Sequence, residues 1–398
     1  MSELNLSTRQ SIRQGLPIFI AAISMRAGLT IINPLIPLLR EQYHISSFAA
    51  SFLTSLSILC FAGTGLLMPI VSKLGGTNRI IAFALATLTG ALVVRTVGNL
   101  VFLFVASFIL GIAIAILNFS LPVWVKENDP KHSGLLTGIY ITLMGVFASG
   151  AVAVAVPLSH LTRWSWRFSM VPFIVLAGIP TAWWLRHTRQ TVVEVKTIKS
   201  PKFHINTFKS WPTWNLAFFF GVQSMIFYGT ATWLPTILAS KGYALSDAGY
   251  MVALTGFLGS AIGIMAPHYA SQLANLRAVL VGLSSLMCIS FLGLIYDRGW
   301  HLTFWLLIMS ICLSITFPLS LLITVMRSSN SDETRSLSIM TQSVGYAISF
   351  FGPGIIGAVF DLSKNWNIAL VVPVVLAILL GISGSFAGKS EKIVLSDT

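Results

Sequence analysis

Residues 18–39 read IFIAAISMRAGLTIINPLIPLL, an apolar run long enough to cross a bilayer as a helix and broken near its middle by one arginine, Arg26. A guanidinium at mid-bilayer costs about 2.5–3.5 kcal/mol on insertion scales, so chains keep one there mainly when it faces a cavity, a partner or a substrate. The 12 carboxylates of the chain all fall in tails, loops or helix ends. Arg26 therefore reads as an unpaired buried cation, suited to a substrate that is anionic or electron-rich.

Outward from this stretch the composition sets the class. Hydrophobic residues make up 55 % of the 398 and charged residues only 9 %, with a mean hydropathy of +0.83. A soluble domain carries about a quarter charged residues, so the expectation is an all-α polytopic membrane protein. Apolar runs lie near 15–39, 47–72, 79–97, 100–124, 133–158, 166–186, 214–239, 247–272, 277–296, 301–326, 335–360 and 365–388, which predicts twelve transmembrane helices. The net charge of +13 does not ask for a nucleic-acid partner. Most of the lysines and arginines fall on one set of alternating loops, a bias that places both termini in the cytoplasm. The first apolar run is full-length with no small-x-small cleavage site, so it reads as an uncleaved helix. Cys60, Cys288 and Cys312 lie in different apolar runs and show neither a disulfide framework nor metal-ligand spacing.

The longest connection, from Arg186 to Trp211, is basic and divides the chain into two sets of six helices. The expected organisation is a tail over 1–14, a first bundle over 15–186, a basic cytoplasmic linker over 187–213, a second bundle over 214–388 and a tail over 389–398. Glycine and proline inside the runs, such as Pro34, Pro37 and Gly352-Pro353-Gly354, permit close helix approach and kinks.

Polar side chains within the runs are few. They are Arg26 and Asn33 in the first helix, Asn118 in the fourth, Tyr140 in the fifth, Gln223 and Tyr228 in the seventh, and Gln342 and Tyr346 in the eleventh. Gln342 and Tyr346, four apart, share one helix face. Asn33 lies on the face of Arg26, about 10 Å further along at the helical rise. Arg95 and Arg327 lie near helix ends, where snorkelling to the interface would account for them. The histidines all sit at loops or ends. No metalloprotease, nucleophile-elbow or phosphate-loop motif is present, so neither an enzyme nor a bound cofactor or metal is expected, and uphill movement would draw on a gradient.

Four strings carry a family resemblance. SMRAGLTIINPLIPLL (24–39), GIAIAILNFSLPVWVKENDPKHSGLLTGIY (111–140), FFGVQSMIFYGTATWLPTIL (219–238) and SLSIMTQSVGYAISFFGPGIIGAVFD (336–361) resemble the first, fourth-to-fifth, seventh and eleventh helices of the cyanate / 2-nitroimidazole transporter family of the major facilitator superfamily. The resemblance implies the twelve-helix fold in two six-helix bundles and residence in a bacterial inner membrane. It carries over Arg26, Thr30, Pro34, Asn118, Gln223, Tyr228, Trp233, Gln342 and Tyr346 as site positions. The chain departs from the pattern at Ser72, where many members hold an acid, and at Ala27-Gly28, where a proline is common.

The expected function is a monomeric secondary or facilitative transporter, working by alternating access, for a small anion or an electron-poor heteroaromatic compound. The substrate would bind at Arg26, Thr30, Asn33, Asn118, Tyr140, Gln223, Tyr228, Trp233, Gln342 and Tyr346. The alternatives are a broad-specificity drug exporter with an aromatic lining and, from another class, a transporter-derived sensor signalling through the basic linker. With no mid-membrane acid, carboxylate-based proton symport has no visible carrier.

Overall fold

A chain this apolar must satisfy its backbone polar groups internally wherever lipid surrounds it, and helices do so segment by segment. The computed structural model describes residues 2–63, 71, 75–190, 210–263, 265–297, 299–329 and 331–393, and within these every regular element is helical. Ser72 and most of the linker lie outside the described residues. The first bundle comprises α1 (Ser2–Thr30), a 3-10 turn (Asn33–Leu35), α2 (Ile36–Tyr43), α3 (Ser47–Ala62), α4 (Thr77–Val97), α5 (Leu100–Asn128), α6 (Ser133–Ser159), a second 3-10 segment (Ser165–Met170) and α7 (Val171–Gln190). The second comprises α8 (Trp211–Ser240), α9 (Leu245–Gly263), α10 (Ala266–Ala270), α11 (Arg277–Tyr296), α12 (Trp300–Met326), α13 (Ser331–Ser349), α14 (Phe351–Ser363), α15 (Trp366–Ala369) and α16 (Val371–Ala387). Among the described residues 10 segments are long and apolar enough to span a membrane. Together with the shorter α3 and the 30-residue α8 they make twelve helical rods.

Several rods predicted as single helices are broken, and proline explains two of the breaks. Pro34 brings no N–H to the turn that follows α1, and the chain passes through a 3-10 turn before resuming as α2. Pro353 stands just beyond Phe350, where α13 gives way to α14. At the other extreme α1 starts at Ser2, so the stretch read as a tail is already helical.

The bundles meet along two seams. On one, α6 packs on α9 with Gly249 facing the Val152 carbonyl and Gly256 facing Ser149. On the other, α3 packs on α13 and α14, with Gly354 and Gly357 of α14 set against Phe48, Ser51 and the Ser47 carbonyl. Without a hydrophobic driving force between helices in lipid, such small residues let backbones approach and gain van der Waals contact. Within the second bundle α8 and α13 cross at Gly221 and Gly345, and α8 and α14 at Gly229 and Gly352. One apolar core fills the second bundle. Two others divide the first, one of them reaching across to Tyr228 of α8. The end of the molecule that carries the His44–Ser46 and Lys364–Asn365 turns is the distal end.

Candidate functional site

Arg26 lies in the penultimate turn of α1, close to where the helix stops. Four carbonyls at a helix end lack intrahelical donors, and their partners here are specific. The Arg26 carbonyl accepts from Thr30 Oγ1 at 3.2 Å. The Ala27 carbonyl accepts from the Ile31 amide at 3.1 Å. The Gly28 carbonyl accepts from Arg95 Nη1 of α4, also at 3.1 Å. Thr30 Oγ1 further donates to the Ala148 carbonyl of α6 at 3.1 Å, tying the same turn to the helix that forms a bundle seam.

Arg95 corrects the expectation of snorkelling. Its side chain is fully buried (0 % exposed), with Nε and Nη2 donating to Ser107 Oγ at 3.1 and 2.8 Å. Arg327 is likewise buried, donating through Nε to the Glu391 carbonyl at 2.9 Å and through Nη1 to the Phe386 carbonyl at 3.3 Å. In both cases freed helix-end or tail carbonyls hold the guanidinium, a cheaper arrangement than leaving those acceptors unpaired in an apolar surround. Burial and the nearby charge of Glu391 act in opposite senses on Arg327, and burial prevails, lowering its pKa from the usual arginine value.

The Arg26 side chain itself is only half-buried, and among the described residues no hydrogen bond or ion pair engages its guanidinium. Tyr346 of α13 lies close enough to Arg26 and to Tyr228 of α8 for both to act on its hydroxyl. Three helices, α1, α8 and α13, thus bring a cation and two phenols together. Aromatic rings pack against the two tyrosines: Phe61 lies edge-on to Tyr346 at 5.4 Å, Phe220 at 5.0 Å, and Phe227 lies edge-on to Tyr228 at 5.2 Å. Phe317 of α12 extends the set through Phe220 at 5.9 Å. Tyr140 is buried in the same core cluster as Tyr228.

The other expected positions are placed differently. Thr30 bonds to backbone, as described. Asn33 is buried in the 3-10 turn, its Oδ1 without a partner among the described residues. Gln223 is fully buried, accepting from Ser224 Oγ at 3.2 Å while its Nε2 has no partner among the described residues. Gln342 is half-buried one turn before Tyr346. Asn118 is exposed on α5 and makes none of these contacts. Trp233 belongs to a separate distal aromatic group, donating to the Pro353 carbonyl at 2.8 Å and packing on Trp366. Phe61, Phe220 and Phe317 were not singled out from sequence. The signal for Phe220 is the glycine opposite it, since a Cβ on Gly345 would overlap its ring.

Among the described residues no group of His, Cys, Asp or Glu is arranged to hold a metal. The arrangement can bind, through one cation, two phenolic hydroxyls and several ring faces and edges, and it holds no nucleophile paired with a base.

Comparison with known proteins identifies the family of the chain. A family model described as Major Facilitator Superfamily matches residues 18–353. The chain is 31 % identical over 385 residues to the uncharacterized transporter YycB of Bacillus subtilis (strain 168), covering 96 % of this chain and 94 % of the relative. It is 27 % identical over 380 residues to the 2-nitroimidazole transporter of Escherichia coli (strain K12), with coverages of 94 % and 95 %. It is 24 % identical over 355 residues to the cyanate transport protein CynX of the same organism, with coverages of 88 % and 91 %. Among solved structures, a bacterial homolog of the human lysosomal transporter Spinster, in an inward-facing and occupied conformation, superposes with a TM-score of 0.77 at 14 % identity, over 95 % of this chain and 96 % of that one. That last likeness is one of fold.

Proposed function

The chain belongs to the Major Facilitator Superfamily and is a multi-pass membrane transporter, not an enzyme, and on that premise we propose that it moves a small anion or an electron-poor heteroaromatic compound by alternating access, with Arg26 in the substrate site. The observation that carries this reading is the Arg26 guanidinium, without a hydrogen bond or ion pair among the described residues, set near the hydroxyls of Tyr346 and Tyr228, whose rings pack against further aromatic side chains. A cation in a poorly solvated site attracts a negative or strongly dipolar ligand far more than it could in water. Two phenols supply directional hydrogen bonds, and the rings favour a flat solute through stacked or edge contacts. Relatives of the chain are a 2-nitroimidazole transporter and a cyanate transport protein, which supports a heteroaromatic or a small-anion cargo without choosing between them.

The same reading places twelve spans in a bacterial inner membrane, both termini in the cytoplasm, and a monomer as the working unit. Among the described residues no carboxylate lies within ion-pair distance of Arg26. Transport is accordingly electrogenic uniport or exchange, or a co-transported proton travels with the substrate or through a water near Arg26.

The test is flux into proteoliposomes of radiolabelled cyanate and of 2-nitroimidazole, with wild-type, Arg26→Ala and Arg26→Lys proteins. Loss of flux in both variants, with the protein still folded, is the expected outcome. Normal flux by Arg26→Ala would make the charge structural and end this reading. A drug exporter, favoured by the Phe61–Phe220–Phe227 lining, would instead protect a deletion strain against many unrelated hydrophobic compounds.

A further inference from the structure

Alternating access needs a contact that holds one end of the two bundles shut and can be released. The distal end contains one built from a carboxylate of the second bundle and a helix start of the first. Asp361, near the end of α14, accepts from the Ser47 amide at 3.1 Å through Oδ1 and from the Phe48 amide at 2.8 Å through Oδ2. Ser47 and Phe48 are the first two residues of α3, whose third amide, that of Ala49, donates to Ser46 Oγ at 3.1 Å. Orphan donors at a helix start are normally met by the chain's own cap or by water. Here two of them are met by the opposite bundle.

We propose that Asp361 is the latch of the distal gate: its carboxylate caps α3 across the bundle interface, and opening of the distal end requires this cap to be released. The inference rests on the transporter reading but on none of its substrate residues. Three features make the contact a latch. An anion at a helix N-terminus gains from both the free amides and the helix dipole, and its hydrogen bonds are charge-assisted. The Arg40 guanidinium of α2, poised over the Phe360 ring at 5.5 Å, adds favourable charge to Asp361 from the first bundle. Gly354 and Gly357 let α14 lie so close to α3 that a Cβ at 357 would stand 2.8 Å from the Ser47 carbonyl oxygen. Below the cap the seam is aromatic, running through Phe48, Phe52 and Phe350 at ring separations of 5.3 and 5.8 Å. Deeper still, Thr232 Oγ1 donates across the interface to Thr54 Oγ1 at 3.1 Å. Asp361 thus supplies a polar link between the bundles at the distal end of this seam. When the bundles part, its two donors pass to water together.

The experiment reads gate opening directly and needs no substrate. In full-length protein with Cys60, Cys288 and Cys312 replaced by alanine, Ser51→Cys places a thiol on the buried face of α3 against Gly354. Its labelling rate by a membrane-impermeant maleimide in oriented proteoliposomes reports the open fraction. Asp361→Ala should raise that rate about fivefold or more, the lower range of coupling in two-state devices, and Asp361→Asn, which keeps one acceptor, by less. The reciprocal variant Ser47→Pro removes one donor at a position where proline suits a helix start, and Ser46 already has the extended ψ of 162° that proline needs before it. It should raise the rate modestly, and adding it to Asp361→Ala should give no further rise, because both act on one contact. Unchanged labelling in Asp361→Asn and Ser47→Pro, both folded by size-exclusion chromatography, overturns the latch while leaving the Arg26 reading intact. Lost flux in Arg26→Ala with unaltered labelling tests the transport site alone.

Discussion

Arg95 ends the helix that carries Arg26: from α4 it donates to the Gly28 carbonyl of α1 at 3.1 Å, two residues beyond the site arginine. The bond takes the place of a helical donor and holds the last turns of α1 to α4, where a Cβ added at Gly28 would meet the Leu92 side chain at ordinary van der Waals distance.

Arg95→Ala should therefore destabilise the fold, because it strands the Gly28 carbonyl and removes a fully buried, triply bonded group. The cost is about 2–4 kcal/mol, by analogy with other buried charged hydrogen bonds. Arg95→Lys keeps the charge but not the fork and should fall between. Unfolding midpoints in a detergent–denaturant series check both. An unaltered midpoint for Arg95→Ala would mean that the helix end holds without it.

Arg26→Ala should leave that midpoint within about 0.5 kcal/mol of wild type, as expected for a side chain without structural partners, while abolishing flux. The contrast between the two arginines is the informative result. Equal destabilisation by both would assign Arg26 a structural role.

Gly345→Ala should disturb the site without touching a polar group. The added methyl meets the Phe220 ring and lies 3.2 Å from the Ala217 carbonyl oxygen, so Phe220 must move away from Tyr346. Overpacking of this kind costs about 1–3 kcal/mol. The measurement is apparent substrate affinity beside stability: Gly282→Ala, where a Cβ meets nothing within 4 Å, is the control expected to change neither.

At the end opposite the gate, Asp129 and His132 interact at 3.1 Å, and Ser11 Oγ reaches the same histidine nitrogen at 2.9 Å. The Ser11 hydroxyl first, and His132 after it, hold the Asp129 pKa below its ordinary value of 3.8. A lowered folded pKa means that this tie contributes fully above the ordinary carboxylate range and fades only as pH falls through the lower folded value. Asp129→Asn should thus loosen the junction of α1 with the 129–132 loop equally at pH 6 and pH 8, read by limited proteolysis. A difference between wild type and variant confined to one of those pH values would show that the Asp129 carboxylate is not what holds the junction.

Sequence reading reached the rods more readily than the site. Twelve apolar runs follow from the need to satisfy backbone groups in lipid, and Arg26 stands out because nothing else in its run is charged. The break after α1 was half visible: Pro34 marks it, but its stopping point depends on Arg95, whose partners Ser107 and Gly28 lie on two other helices. Near a helix end, burial and snorkelling look alike until packing is known. Phe61 and Phe220 were illegible for another reason. Rods that are apolar all round give no periodic sign of which face meets a neighbour, so only the Gly345 opposite Phe220 betrays the contact. Trp233 shows the reverse, a residue carried over by resemblance that the fold seats in distal packing.

The solitary charge of Arg26 has an electrical consequence. On the proposed reading, an empty site holds the Arg26 charge within the membrane field, and a site loaded with a monoanion is neutral. Membrane voltage, worth at most about 2.3 kcal/mol per charge per 100 mV, then acts on the return stroke of the vacant carrier and leaves the loaded stroke alone. Turnover becomes a rectifier whose bias is set by one guanidinium, and the vacant protein should produce a transient current on a voltage step that Arg26→Gln abolishes.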